Sequence, residues 1–156
     1  MKALQRFHLL IAALAVLAPA AHVLELPNKL ALDGPLWLAV QQHLYRGWGP
    51  FIGAPLEIGA LVLSAAVAVL CRRDTRVAWA AAVAAAAYAG MIASFFVFNA
   101  PVNGVVSHVT TANLPPDWPL LRRQWEIGHA ISAALAVIGL AAAIRVWVGR
   151  HQRVSD

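Results

Sequence analysis

The chain has a single cysteine, Cys71. One cysteine excludes an intrachain disulfide, a cysteine-based metal site and a CxxC redox pair. At the end of an apolar run it reads as a small buried filler. Charge is nearly as scarce. Asp, Glu, Lys and Arg make up 12% of the residues, about half of the ~25% usual for a soluble domain. Phosphate-cradling glycine loops, GxSxG elbows, HExxH helices and CxxCH haem sites are all missing. The sequence therefore carries none of the motif signals for phosphate cradling, a serine nucleophile elbow, zinc proteolysis or covalent haem.

Long hydrophobic runs are abundant. Of the 156 residues 61% are hydrophobic, and the mean hydropathy is +0.68. Apolar stretches cover 7–24, 51–71, 77–98 and 127–148, each close to the ~20 residues that cross the hydrocarbon as a helix. The expected fold is all-α: one domain, a polytopic bundle of four transmembrane helices at about 7–25, 51–71, 77–98 and 120–148.

The net charge of +5 would suit a nucleic-acid binder, but its distribution points to a bilayer and not to nucleic acid. Lys2, Arg6, Arg72, Arg73, Arg76, Arg145, Arg150 and Arg153 fall at one membrane face. Lys29, Arg46, Arg122 and Arg123 fall at the other. Eight against four places the first group in the cytoplasm by the positive-inside rule, with both termini. A bacterial inner membrane is the expected location. Lys2, Arg6, the apolar run and Ala18-Pro19-Ala20 also imitate a secretory signal. Cleavage there would leave three spans and a poorer charge distribution.

Proline and tryptophan organise the outer connections. Pro27 should end the first helix, because proline disfavours helix at the residue before it. Residues 35–45 carry Leu36, Val40 and Leu44 at helical spacing. With Trp37 and Trp48 they predict a short interfacial helix at headgroup level in the first outer loop. Gly53, Gly59, Ala60 and the alanine-rich stretch 78–90 make the second and third spans close-packing helices. The third span should end near Asn99-Ala100-Pro101, and the fourth should begin at Pro119.

Polar residues gather at the outer end of these helices: His22, Glu25, Glu57, Asn99, Asn103, Glu126 and His129. Ionisable groups in membrane segments are expensive and usually face a cavity with a function. Arg122, Glu126 and His129 share one helical face with Trp125 beside them. Glu126-x-x-His129 also has the spacing of di-metal carboxylate bundles. His22, Glu57, Glu126 and His129 are therefore candidate transition-metal ligands. The structural alternative is an ion-pair network, with Glu57 partnered by Arg122, Lys29 or a histidine, and Lys29, Arg46 and Arg122 as snorkelling interface charges. Asn99 and Asn103 either cap the third helix or donate to a ligand. Tyr45 and Arg46 are placed to form a lid. His8 and His151 read as incidental, on the opposite face, and His108 lies in the second outer loop.

Four segments together resemble the anthrone oxygenase-like family. They are His22-Val-Leu-Glu25-Leu-Pro27-Asn28-Lys29, then Gln41-Gln42 with Tyr45-Arg46-Gly47, then Asn99-Ala-Pro101-Val-Asn103, then Arg122-Arg123-Gln-Trp125-Glu126-Ile-Gly-His129. That family consists of small four-helix membrane proteins, and the likeness runs over nearly the whole chain. It implies an oxidoreductase that uses molecular oxygen on a small hydrophobic, phenolic or polycyclic substrate without a required cofactor. In that picture His129, tuned by Glu126, is the base. Asn99, Asn103 or Arg122 stabilises the oxyanion. Trp125, Trp48 and Tyr45 pack the substrate, with His22, Glu25, Lys29, Arg46 and Glu57 lining its site. A metal-dependent oxidase or metal-binding protein, and a non-enzymatic membrane subunit or ligand-binding protein, are the alternatives.

Overall fold

A computed structural model describes residues 2–155, with side chains from 3 to 149. The side chains of Lys2, Arg150, His151 and Arg153, assigned above to one membrane face, lie outside the described set. Among the described residues there are helices and no strands. The elements are α1 (Lys2–Leu24), α2 (Leu26–Leu30), α3 (Gly34–Ala39), α4 (Ala54–Leu70), α5 (Thr75–Ser94), α6 (Ala100–Val106) and α7 (Trp118–Ser155). Ala3–Leu24, Gly49–Leu70, Thr75–Val106 and Trp118–Gly149 are long and apolar enough to cross a membrane, which makes the chain an integral membrane protein. Only 17–33% of each span's most apolar window is buried, so most of the helix surface is left to lipid.

The four spans run up and down in a ring. α7 packs on α1 and α5, and α4 packs on the same two. The middle is built from small side chains: Ala12 and Ala15 of α1, Ala60 of α4, Ala84 of α5, and Ala136 and Ala143 of α7, filled out by Tyr88 and Met91. Small residues let transmembrane backbones approach, and van der Waals contact then holds the helices. Gly139 shows the closeness. A Cβ there would stand 2.6 Å from Tyr88 Cζ.

Three one-turn π-helical segments widen the outer end: Val40–Leu44, Gly49–Gly53 and Phe95–Asn99. The last two precede Ala-Pro pairs, Ala54-Pro55 and Ala100-Pro101. Proline lacks an N–H, and its ring clashes with the carbonyl four residues back. A wider turn relieves both problems, with the Ala54 N–H reaching the Gly49 carbonyl and the Ala100 N–H the Phe95 carbonyl. This corrects one expectation. The third span does not end at Asn99-Ala100-Pro101 but passes through it to Val106.

The first outer loop folds back as a roof. Asp33 caps α3 by accepting from the Leu36 N–H at 2.9 Å, and helical structure continues to Leu44. The expected short helix is therefore present, but Trp37 faces the protein and not the surroundings. It is fully buried with Leu38 against Tyr45, Val102, Val106 and Trp125, because the second loop closes over it. Gln42 Nε2 ties the two loops together by donating to the Val106 and Val109 carbonyls, 2.8 Å each. Gly47, at φ +85°, turns the chain from the roof into the second span and brings Trp48 in beside Tyr45.

At the opposite end His8 is fully buried. Its Nε2 lies 2.9 Å from Ser64 Oγ, which itself donates to the Ala60 carbonyl at 2.7 Å. Ser64 has one proton to give, so His8 Nε2–H is the donor between them.

Candidate functional site

Beneath the roof, four aromatic side chains surround His22, from the last turn of α1. Its ring centroid is 4.1 Å from that of His129, 4.6 Å from Tyr45, 4.8 Å from Trp125 and 5.8 Å from Trp48. The first three contacts are edge-to-face, the geometry that aromatic quadrupoles prefer. Trp125 and His129 come from one face of α7, four residues apart, with centroids 4.0 Å apart. Tyr45 stacks on Trp125 at 5.6 Å.

Two acid groups frame this box. Glu126 is buried, and its Oε2 accepts from Lys29 Nζ at 2.8 Å. Lys29 is buried too, with Nζ 4.9 Å from the Trp125 ring centroid and 5.8 Å from that of Tyr45. A buried ammonium between a carboxylate and two aromatic faces has its charge met on several sides. Glu25 Oε2 accepts a short hydrogen bond from the Tyr45 hydroxyl and lies 3.9 Å from His22 Nδ1. Burial first, then that bond and the nearby carboxylates, raise the Tyr45 phenol above its ordinary value.

Asn99 reaches the site because of Gly128. A Cβ at Gly128 would meet Asn99 Oδ1 and Phe98 Cβ, so only glycine lets the π-turn of the third span lie against α7. Asn99 Nδ2 then donates to the Trp125 carbonyl at 2.9 Å and turns its second proton to His129 Nδ1. His129 Nδ1 also lies 3.0 Å from the Trp125 carbonyl. The two contacts ask for opposite tautomers: accepting from Asn99 puts the ring proton on Nε2, and donating to the carbonyl puts it on Nδ1. Gln124 Nε2 caps the Phe98 carbonyl of the same turn at 3.1 Å. Ser94 Oγ donates to the Gly128 carbonyl at 3.3 Å. Asn103 Oδ1 accepts from Trp125 Nε1 at 3.0 Å and so orients that indole.

Among the described residues, His22 Nδ1 and Glu126 Oε1 are buried in this cluster with no hydrogen-bond partner, as are Trp37 Nε1 and Gln41 Nε2 in the roof segment. Buried groups are normally satisfied, so His22 Nδ1 and Glu126 Oε1 are both open to a further hydrogen bond.

Several sequence-derived candidates lie elsewhere. Arg122 Nη1 donates to the carbonyls of Lys29 at 3.1 Å and Leu32 at 3.0 Å, and the guanidinium covers Trp118 at 4.7 Å. It clamps the end of α2, and thereby Lys29, instead of facing the rings. Arg46 is exposed. Glu57 is half-buried with its carboxylate beside Gly53, one turn away on its own helix. Among the described residues it bonds to none of Arg122, Lys29 or the histidines. The four metal candidates are thus divided: His22 and His129 adjoin, Glu126 is held by Lys29, and Glu57 stands apart. No three His, Cys, Asp or Glu side chains among the described residues are grouped to hold a metal ion. His108 Nδ1 lies 2.8 Å from the Gly104 carbonyl in the exposed second loop.

Sequence reasoning missed Gly128, Gln42 and Ser94. Gly128 had a visible signal, a small residue inside an apolar helix beside the proposed base. Gln42 and Ser94 act on backbone carbonyls far along the chain, which no spacing announces.

The chain matches no family model, no curated protein and no solved structure.

Proposed function

We propose that the outer chamber is the active site of an anthrone oxygenase-like oxidoreductase that oxidises a flat, hydrophobic phenolic substrate with molecular oxygen. The observation that carries this reading is the His22–His129 pair inside an aromatic box, closed at one side by the buried Lys29–Glu126 pair. The rings are in contact with one another, so an aromatic substrate drawn from the bilayer would have to part them and take their place in the stack. The positive-inside count supports an orientation with this end outside a bacterial inner membrane and both termini cytoplasmic.

The hydrogen bonding favours a division of labour. His22 Nδ1 is the ring nitrogen without a hydrogen-bond partner, and the Glu25 carboxylate, 3.9 Å from that same atom, would stabilise an imidazolium. In the tautomer whose Nδ1 accepts from Asn99, His129 presents Nε2–H as a donor to an oxyanion. Lys29 adds positive potential beside the same rings. An acidic CH2 between two arene rings gives one proton to His22, and the carbanion takes up oxygen. The peroxide recovers that proton as a hydroperoxide. Loss of the second C–H with O–O cleavage then gives a ketone and water. One O2 is consumed per CH2 converted to C=O, and the substrate supplies all the electrons.

The test is oxygen consumption with anthrone by detergent-purified protein, wild type beside His22→Gln and His129→Gln, with metal content measured on the same samples. Each variant should turn over roughly 100-fold or more slowly with an unchanged melting temperature. Full turnover by His22→Gln sinks the base assignment. Near-stoichiometric iron, copper or manganese that vanishes in both variants replaces this reading with the metal-dependent one, which requires Glu126 to leave Lys29. Stability changes with no turnover in any sample leave a non-enzymatic ligand-binding protein.

A further inference from the structure

Far from the histidines, α5 and α7 leave a groove of about 1000 Å³ between them at the arginine-rich end. On α5 it is lined by Arg76, Trp79 and Val83, and on α7 by Ile138, Arg145 and Val148. Ala80, Ala141 and Ala142 also line it, and side chains this small leave room between the two helices. From residue 138 to residue 149 the α7 wall is about 16 Å long at ~1.5 Å per residue. That is close to half of a ~30 Å hydrocarbon core, the depth of one leaflet.

The polarity of the groove runs in one direction. Its deep part is apolar, with Val83 and Ile138 both well exposed. Its mouth carries Arg76 and Arg145, both exposed, and among the described residues neither has an ion-pair or hydrogen-bond partner. Trp79, 69% exposed, stands between the two zones, where an indole favours the interface. The acidic residue at the rim, Asp74, accepts from the Val77 N–H as the cap of α5, so two cations face one engaged carboxylate. A cationic mouth over an apolar slot about 10 Å deep from Arg145 to Ile138, at ~1.5 Å per residue, matches an amphiphile with an anionic head.

We propose that this groove binds one anionic phospholipid from the adjoining leaflet, with its phosphate between Arg76 and Arg145 and an acyl chain along the α5–α7 seam. The site is independent of the oxygenase reading and needs only the membrane setting.

Native mass spectrometry tests it on the full chain released from nanodiscs of mixed phosphatidylglycerol and phosphatidylcholine. The wild type should retain one phosphatidylglycerol in preference to phosphatidylcholine. Arg76→Gln/Arg145→Gln should reduce that preference by roughly 30-fold, about 5-fold per arginine. Arg72→Gln/Arg73→Gln removes two charges from the same membrane face but outside the groove and should leave retention unchanged. Ala141→Trp, which fills the slot, should expel the lipid whatever its head. Equal loss in both arginine pairs would reduce the effect to general surface attraction and overturn the proposal. So would retention in Ala141→Trp, or a dimer sealed across this seam with no lipid bound.

Discussion

The inner and outer halves of the bundle bury different things. The inner half is a seam of alanines, closed where Tyr88 lies on Gly139, with one polar pair, His8 and Ser64. The outer half is opened by π-helical turns and filled with tryptophan, tyrosine, histidine and the Lys29–Glu126 ion pair. Small side chains bring helices together until no room remains for chemistry. Wider turns before proline separate them, and the space is taken by aromatic and charged groups. Those charges survive in a membrane protein because the loop roof, not lipid, covers them. A carboxylate without such a partner stays nearer the surface, as Glu57 does.

Removing half of the ion pair should break the outer half most severely. Lys29→Met leaves Glu126 buried without a counter-charge and should destabilise by roughly 3–5 kcal/mol, seen as a large fall in melting temperature in detergent. Adding Glu126→Leu should restore most of the loss. A melting temperature unchanged in the single variant would mean that the roof is not closed around Lys29.

The two glycines sharpen the comparison. Gly139→Ala and Gly128→Ala each introduce a methyl group where none fits, at about 1–3 kcal/mol. Their consequences should separate. Gly139→Ala presses on Tyr88 and should lower stability alone. Gly128→Ala presses on Asn99 and should also disturb its contact with His129, readable from the ring 15N chemical shifts of that histidine. Identical His129 spectra in the two variants would contradict the Asn99 contact.

Tyr45→Phe removes the hydrogen bond to Glu25 and should cost about 1 kcal/mol, reduced from a fully buried charged bond because Glu25 is partly exposed. Its sign with pH follows from the raised phenol. Above pH 10, the ordinary tyrosine value, the unfolded phenol loses its proton while folded Tyr45 keeps it. The folded state then binds more protons, and stability falls as pH rises. The advantage of wild type over Tyr45→Phe should be constant below pH 10 and shrink above it. A difference growing above pH 10 would refute the buried, protonated phenol.

The smallest effect belongs to the inner half. His8→Leu with Ser64→Ala replaces both members of a buried polar pair by apolar groups and should stay within about 1 kcal/mol of wild type. A larger loss would give His8 a role that this structure does not explain.

Much of this contrast was legible along the chain. The four spans follow from apolar runs of the right length, and the alanine stretch 78–90 announced close contact. Six of the seven outer polar residues do gather at one end around His22 and Trp125, and Glu57 is the exception. Trp37 was misplaced because an indole at a loop looks the same whether the loop lies on the headgroups or folds over the bundle. Pro101 was read as a stop because the rule for α-helix does not include the wider turn that admits it. Arg122 looked like part of the site because it shares a face with Glu126 and His129, yet the carbonyls of α2 engage it first.

Local composition by itself determined the class, the number of spans and the end at which polar groups accumulate, because the free energy of placing a side chain in hydrocarbon is nearly additive along a helix. Only the tertiary structure decided that Lys29 meets Glu126, that Asn99 faces His129 and that His22 Nδ1 is left without a partner. Those outcomes depend on how loops return over the bundle and on where a glycine lets two helices touch. The partners are up to 97 residues apart, beyond the reach of any local pattern.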